Sequence, residues 1–126
     1  MVRFHLPLPE TKGCGELIIY IAGKMRGLPD LGREKFDAAA DRLREQGHIV
    51  LNPADVPSGM PTDRYMPICL AMVNAADAVY MLKGWGTSLG ATLERLYAEY
   101  QGKKIFFEDG NLEMEWRQSK ERYTDA

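Results

Sequence analysis

The sequence predicts a single-domain α/β protein, a three-layer sandwich whose parallel sheet of four to five strands carries helices on both faces. Three observations lead to that expectation. Strand-like apolar runs alternate with helical patterns in the order β-α-β-α-β-α-β with short connections, and parallel neighbours joined by right-handed crossovers are what such an alternation builds. The run Leu17-Ile18-Ile19-Tyr20-Ile21-Ala22 is apolar at consecutive positions, as a central strand covered on both faces must be. A length of 126 residues with 45% hydrophobic content is enough for one core and places residues 1–126 in one domain.

Composition excludes several function classes. A formal charge of -2 with both signs interspersed is not the basic footprint of a polynucleotide-binding protein. No apolar run has the length of a membrane span and the N-terminus MVRFHLPLPE has no signal-peptide core, so the expectation is a cytoplasmic protein without membrane contact. Cys14 and Cys69 are too few for a disulfide framework, and the two histidines do not cluster with them, so neither metal nor cofactor is expected. Cys69 reads most simply as a small core residue.

Residues 1–15 hold Pro7, Pro9, Gly13 and Gly15 without a period and read as an irregular arm, with a short edge segment at residues 2–6. The first strand ends at Gly23. The loop GKMRGLPDLGREKF follows, bringing Lys24 and Arg26 to the place where a first βα loop approaches a ligand; its glycine spacing matches neither a dinucleotide fingerprint nor a P-loop. Helix one is expected over residues 33–46, with Phe36, Ala39, Ala40 and Leu43 inward and Gly47 as its stop. Ile49-Val50-Leu51 is the second strand. Asn52 closes it at the carboxyl edge, where it either faces a ligand or forms the turn before Pro53. His48 falls at the opposite edge and is discounted as a catalyst.

Residues 53–63 form a Pro-, Gly- and Asp-rich loop that can act as a lid. Helix two then runs to about residue 76, capped by Thr62 or Asp63, with Pro67 confined to its first turns and Tyr65, Ile68, Cys69, Met72 and Val73 as apolar contacts. Asp77 opens the third strand, residues 78–82. After Gly84 and Gly86, Thr87 or Ser88 caps helix three. There Leu89, Leu93, Leu96, Tyr97 and Tyr100 recur at three- and four-residue intervals, which places them against the sheet and leaves Arg95 and Glu99 in water. Glu94 falls on the flank of that stripe, one turn after Gly90. It is either a solvated helix acid, with Gly90 a packing glycine, or a carboxylate beside a ligand site at the helix start. Lys104 to Phe107 form a fourth strand, and Asp109-Gly110 leads into a helical tail, residues 111–126, with Leu112, Trp116 and Tyr123 as a sparse apolar stripe. Gly23 to Arg26 and residues 85–94 are expected to meet at one cleft, where ligands of open α/β sheets bind.

These segments carry a resemblance. IYIAGKMRG at 19–27 and SLGATLE at 88–94 resemble the nucleoside 2-deoxyribosyltransferase-like superfamily, above all its 2′-deoxynucleoside 5′-phosphate N-hydrolase branch. With GREKF, the NPA at 52–54 and LKGW, they resemble still more a phage and bacterial family of unknown function within it; the likeness runs from about Leu17 to Phe107. The resemblance implies a Rossmann- or flavodoxin-like domain. It also implies a sugar-pocket tyrosine at Tyr20 with Gly23 and Arg26 in register, Lys24 where the family has a small hydroxyl residue, a phosphate-binding Ser88 with Gly90, and a nucleophilic Glu94. An Asp that assists proton transfer from the second helix has no counterpart in MPICLAMVNAAD, and Asp63 and Asp77 are the candidate substitutes.

The implied chemistry is cleavage or exchange of the N-glycosidic bond of a 2′-deoxynucleoside or its 5′-monophosphate. A carboxylate stabilises the oxocarbenium-like transition state and traps it as a glycosyl ester, with no metal or cofactor required. A deoxy sugar forms that cation more readily because it lacks the electron-withdrawing 2′-hydroxyl. The partner is then a small nucleoside or nucleotide. The alternative is a non-catalytic nucleotide-binding module on the same fold. Trp85, Trp116 and the tail, together with the superfamily's habit of assembly, lead us to expect a homodimer or higher homo-oligomer.

Overall fold

The computed structural model of the protein describes residues 16–108, the side chain of Thr62 apart. The expected arm, the edge segment at residues 2–6, Cys14, Trp116 and the helical tail lie outside the described residues. Inside them are four strands and three α-helices: β1 (Ile18–Ala22), α1 (Arg33–Glu45), β2 (Ile49–Leu51), α2 (Thr62–Ala75), β3 (Ala78–Met81), α3 (Leu89–Tyr100) and β4 (Lys104–Phe107). The sheet is all parallel in the order β2-β1-β3-β4, with Ile19 beside Val50 on one flank and Ala78 on the other.

Period-two alternation divides the core. Ile19, Ile21, Ala78 and Leu82 pack with Phe36, Ala39, Ala40 and Leu43 of α1, as the spacing of that helix requires. Tyr20, Ala22, Val79 and Met81 face the other way, onto α2 and α3 through Cys69, Val73, Ala91 and Ala98. Helices therefore cover both faces, and central β1 is apolar throughout because neither of its faces meets water.

The ends of the helices follow local rules. Gly47, at φ 98°, closes α1: its own N–H goes to Arg44 O and that of His48 to Leu43 O, so two terminal carbonyls are satisfied. Ser88 is the cap of α3, its Oγ accepting from the Ala91 N–H at 3.1 Å. At α2 the expected side-chain cap is absent. Pro61 stands at the cap position, so the helix opens on a residue whose φ is preset but which offers no acceptor side chain.

The largest departure is the phase of α3. Its buried residues are Ala91, Glu94, Arg95 and Ala98, whereas Leu89 and Tyr100 are 86% and 88% exposed and Leu93 also faces out. The inner row is short-chained at Ala91 and Ala98, which lets the helix lie close on β1, β3 and β4. Leucines on that row would hold it away, and they lie on the outer one. Arg95, expected in water, is 1% exposed, with its guanidinium carbon 5.0 Å from the centre of the Trp85 ring. Trp85 is itself buried against Phe107, with ring centroids 6.1 Å apart, so it adds no exposed aromatic surface.

Candidate active site

The sheet order places a topological switch point between β1 and β3. From β1 the chain crosses to β2 on one side, and it returns to β3 on the other, so the loops after β1 and β3 part and leave a crevice at their carboxyl ends. Those loops hold Gly23 to Arg26 and Trp85 to Ser88, the first of the two segments expected to meet and the start of the second, which runs on through Glu94 in α3. The first loop starts with a close approach: a Cβ on Gly23 would lie 3.0 Å from Leu82 Cβ, so a side chain there would push the two loops apart.

Just beneath this crevice, on the α2/α3 side of the sheet, the Tyr20 hydroxyl donates to Glu94 Oε2 at 3.0 Å. Tyr20 comes from the middle of β1 and Glu94 from the second turn of α3. Both are buried, Glu94 at 6% exposure, so the carboxylate stands on the inner row of α3 and not on an open flank. Burial pushes its pKa from 4.5 up to about 7, and the hydrogen bond from Tyr20 opposes part of that rise. The phenol is held well above its usual range, first by burial and then by the Glu94 charge. Glu94 therefore changes charge near neutrality, where a carboxylate can serve both as a nucleophile and as a proton carrier.

A third group belongs to this cluster. Cys69, buried on α2, belongs to the same core cluster as Tyr20, and burial raises its thiol pKa. In the sequence it is one apolar contact among several. Its place three residues after Met66 and four before Val73 marks the inner row of α2, but nothing local shows that this row meets Tyr20.

The remaining candidates separate. Ser88 and Gly90 are at the start of α3. Met66 Cε sits over Gly90, 3.3 Å from where a Cβ would be, so Gly90 is where α2 and α3 touch and there is no open space above it. Lys24 is half-buried and Arg26 exposed in the first loop. Asn52 is used internally, its Oδ1 accepting from the Ala54 N–H and its Nδ2 donating to Asp37. That is the turn-forming role, with the amide spent at both ends. Asp63 is exposed and pairs with Arg64 at 3.7 Å. Asp77 lies at the amino edge of the sheet, where its Oδ2 accepts from the Ile18 N–H at 2.8 Å. Its carboxylate is engaged there, whereas the hydrogen bond to Glu94 comes from Tyr20. His48 likewise serves the amino edge, its Nδ1 accepting from the Leu17 N–H.

A second recess opens at the carboxyl edge, between the first βα loop and the expected lid, lined by Met25, Leu31, Pro53, Val56 and Tyr65. Its rim is strained: Asp30 and Leu31 have φ of 52° and 56°, and Gly32 continues the left-handed run at 75°.

With the geometry in place, comparison with known proteins adds three findings. A family model described as "Domain of unknown function (DUF4406)" matches residues 17–107. No curated protein matches. The chain is similar to the solved structure of a 2-desoxiribosyltransferase from Leishmania mexicana, at 23% identity and a TM-score of 0.59, over 71% of this chain and 62% of that one. The match thus spans less than two thirds of that protein, and at this identity it shows a common fold. Among the described residues no helix is long and apolar enough to cross a membrane.

Proposed function

The chain belongs to the DUF4406 family, and from that premise we propose that it cleaves or transfers the N-glycosidic bond of a 2′-deoxynucleoside or its 5′-monophosphate through a covalent intermediate on Glu94. The observation that carries this reading is the buried Tyr20–Glu94 hydrogen bond at the switch point. A carboxylate that binds a proton near pH 7 is under-solvated when ionised, and an under-solvated anion is a strong nucleophile. The fold shared with a 2-desoxiribosyltransferase supports the assignment.

In the proposed reaction one Glu94 oxygen bonds to C1′ while the bond from C1′ to the base nitrogen breaks. The electron pair leaves on the base, which takes up a proton. Tyr20 holds Oε2, which leaves the other oxygen to attack. Water, or a second base, then attacks C1′ on the ester and returns the carboxylate. At 6% exposure the carboxylate must first be uncovered. Met66, a flexible side chain lying over Gly90, is a natural point of opening.

Two finer proposals accompany it. Arg26 and Lys24, with the first-turn N–H groups of α3 and Ser88, form the site for a 5′-phosphate. A second copy of the chain covers the outer row of α3, where Leu89, Leu93, Leu96 and Tyr100 repeat at intervals of four, three and four, the spacing of a helix-pairing seam. The competing reading, a nucleotide-binding module without turnover, draws on the absence of an α2 carboxylate facing Glu94.

The deciding experiment incubates the protein with deoxynucleosides and their monophosphates, follows free base, and quenches rapidly for mass spectrometry. Base release with a deoxyribosyl adduct on the α3 peptide containing Glu94 is expected. Binding without base release would leave the module reading standing, and an adduct on a different carboxylate would displace Glu94.

A further inference from the structure

Glu108, the residue that follows β4, carries a carboxylate that the proposed reaction does not use. Its main-chain N–H donates to Met81 O at 2.9 Å and continues the pairing of β4 with β3. Its side chain falls on the same face as Phe106, toward α1, because successive residues of a strand alternate. There Oε1 accepts from the Lys83 N–H at 2.8 Å and Oε2 from the Arg42 guanidinium at 3.1 Å. Lys35, two turns before Arg42 on the same side of α1, donates from Nζ to Lys83 O at 3.2 Å. Both main-chain polar groups of Lys83 are thus held, one from the end of β4 and one from α1.

Lys83 is where the chain leaves β3 for α3. Gly84 follows at φ 92°, with open space where a Cβ would be, and reverses the chain. From there the loop bonds to itself: Thr87 donates through its N–H and its Oγ1 to Gly84 O, and the Ser88 N–H donates to Trp85 O. Residues 84–88 therefore form one unit, and it ends on the Ser88 Oγ that caps α3. Trp85, packed against Phe107, anchors the unit on the α2/α3 side of the sheet. Lys83 anchors it on the α1 side. As an ion pair the contact with Arg42, whose side chain is half-exposed, contributes little to stability. What Glu108 supplies is direction, a charged acceptor aimed at one backbone N–H.

We propose that Glu108 is a positioning residue for the start of α3: its carboxylate, oriented by Arg42, fixes the Lys83 N–H and through the 84–88 unit sets where Ser88 and the first-turn N–H groups of the helix stand. It acts through Lys83 and does not touch the ligand. The consequence for binding rests on reading Ser88 and the start of α3 as the place of a 5′-phosphate. The first readout below needs no ligand, so the two can fail separately.

The test is amide hydrogen exchange by NMR in wild type, Glu108→Ala and Glu108→Gln, followed by calorimetric titration of each with a deoxynucleoside 5′-monophosphate. Glu108→Ala removes the acceptor, so the Lys83 amide and the Ala91 amide, which is bonded to Ser88 Oγ, should both exchange about tenfold faster. The Asp77 amide, bonded to Ile18 O at the far edge of the sheet, should keep its wild-type rate. Monophosphate affinity should fall about tenfold in Glu108→Ala. Glu108→Gln keeps an acceptor for Lys83 and should restore both the exchange rates and the affinity. Unchanged exchange at Lys83, a change there that does not reach Ala91, or equal acceleration at Asp77, the mark of a general loosening, would overturn the proposal. A wild type that binds the monophosphate no better than the nucleoside would remove the phosphate reading and leave the exchange rates to decide on Glu108. Should Glu108→Ala fail to fold, Glu108→Asp, whose carboxylate is one methylene short of Lys83, takes its place with the same expectations.

Discussion

Tyr20 and Glu94 are 74 positions apart in the chain and 3.0 Å apart at their oxygens, joined by a buried hydrogen bond between β1 and α3. The bond holds a carboxylate that pays a desolvation cost whenever it is ionised, and two consequences follow for the pH dependence of the protein.

The first concerns turnover. The nucleophile is the ionised form, so on the proposed reading base release should rise with pH through a single ionisation near 7, the value to which burial moves Glu94. In Tyr20→Phe the opposing hydrogen bond is gone and this limb should move to higher pH. A profile already flat from pH 5 would show that Glu94 is not the ionising group.

The second concerns stability. The Glu94 pKa in the folded chain is raised, so the unfolded chain ionises first, near 4.5, and the folded chain only near 7. The contribution of Glu94 to stability is therefore greatest below about 4.5, falls as pH rises between the two values, and is lower by about 3 kcal/mol above them. Glu94→Gln keeps the shape without the charge. It should abolish base release and raise the melting temperature at pH 8, but not at pH 4. A destabilised Glu94→Gln at pH 8 would contradict the sign.

Arg95 is expected to matter for the fold. Its side chain is buried, with the guanidinium carbon over the Trp85 ring at 5.0 Å from its centre. Arg95→Ala should cost about 2–4 kcal/mol, by loss of packing and of the stacking contact, and show as a lower midpoint in urea unfolding. Arg95→Lys should recover only part of this, since an ammonium does not lie flat on a ring. Equal stability of Arg95→Ala and wild type would refute this account of the burial.

The outer row of α3 should control assembly. Light scattering at micromolar concentration is expected to give at least a dimer, and Leu93→Glu, which puts a charge in the middle of the row, should give a monomer that remains folded. A monomeric wild type would count against the pairing.

The phosphate proposal makes its own demand. Calorimetric titration should show tighter binding of a 5′-monophosphate than of the matching nucleoside, and Arg26→Ala should weaken the former about tenfold while leaving the latter nearly unchanged. Equal wild-type affinities for the two ligands would refute the phosphate site.

The sequence by itself determined the order and nature of the elements. An apolar run such as Ile18 to Ala22 has no stable place except inside a covered sheet, and the stop at Gly47 and the cap at Ser88 are local chemistry that needs no distant partner. The resemblance of residues 19–27 and 88–94 to a known superfamily is what singled out Tyr20 and Glu94. Tertiary structure decided which way α3 faces. Leu89, Leu93 and Tyr100 outweigh Ala91 and Ala98 in any reading of apolarity, yet close packing on the sheet selects the smaller side chains and turns the larger ones outward. That rotation buried Glu94 and Arg95. It was also the crossing of α2 over β1 and α3 that brought Cys69 to Tyr20, left Asp63 in water and set Asp77 at the wrong edge. A residue's neighbours in space depend on the helix phase that gives the densest contact, and density is a property of two surfaces meeting, which one segment of sequence does not contain.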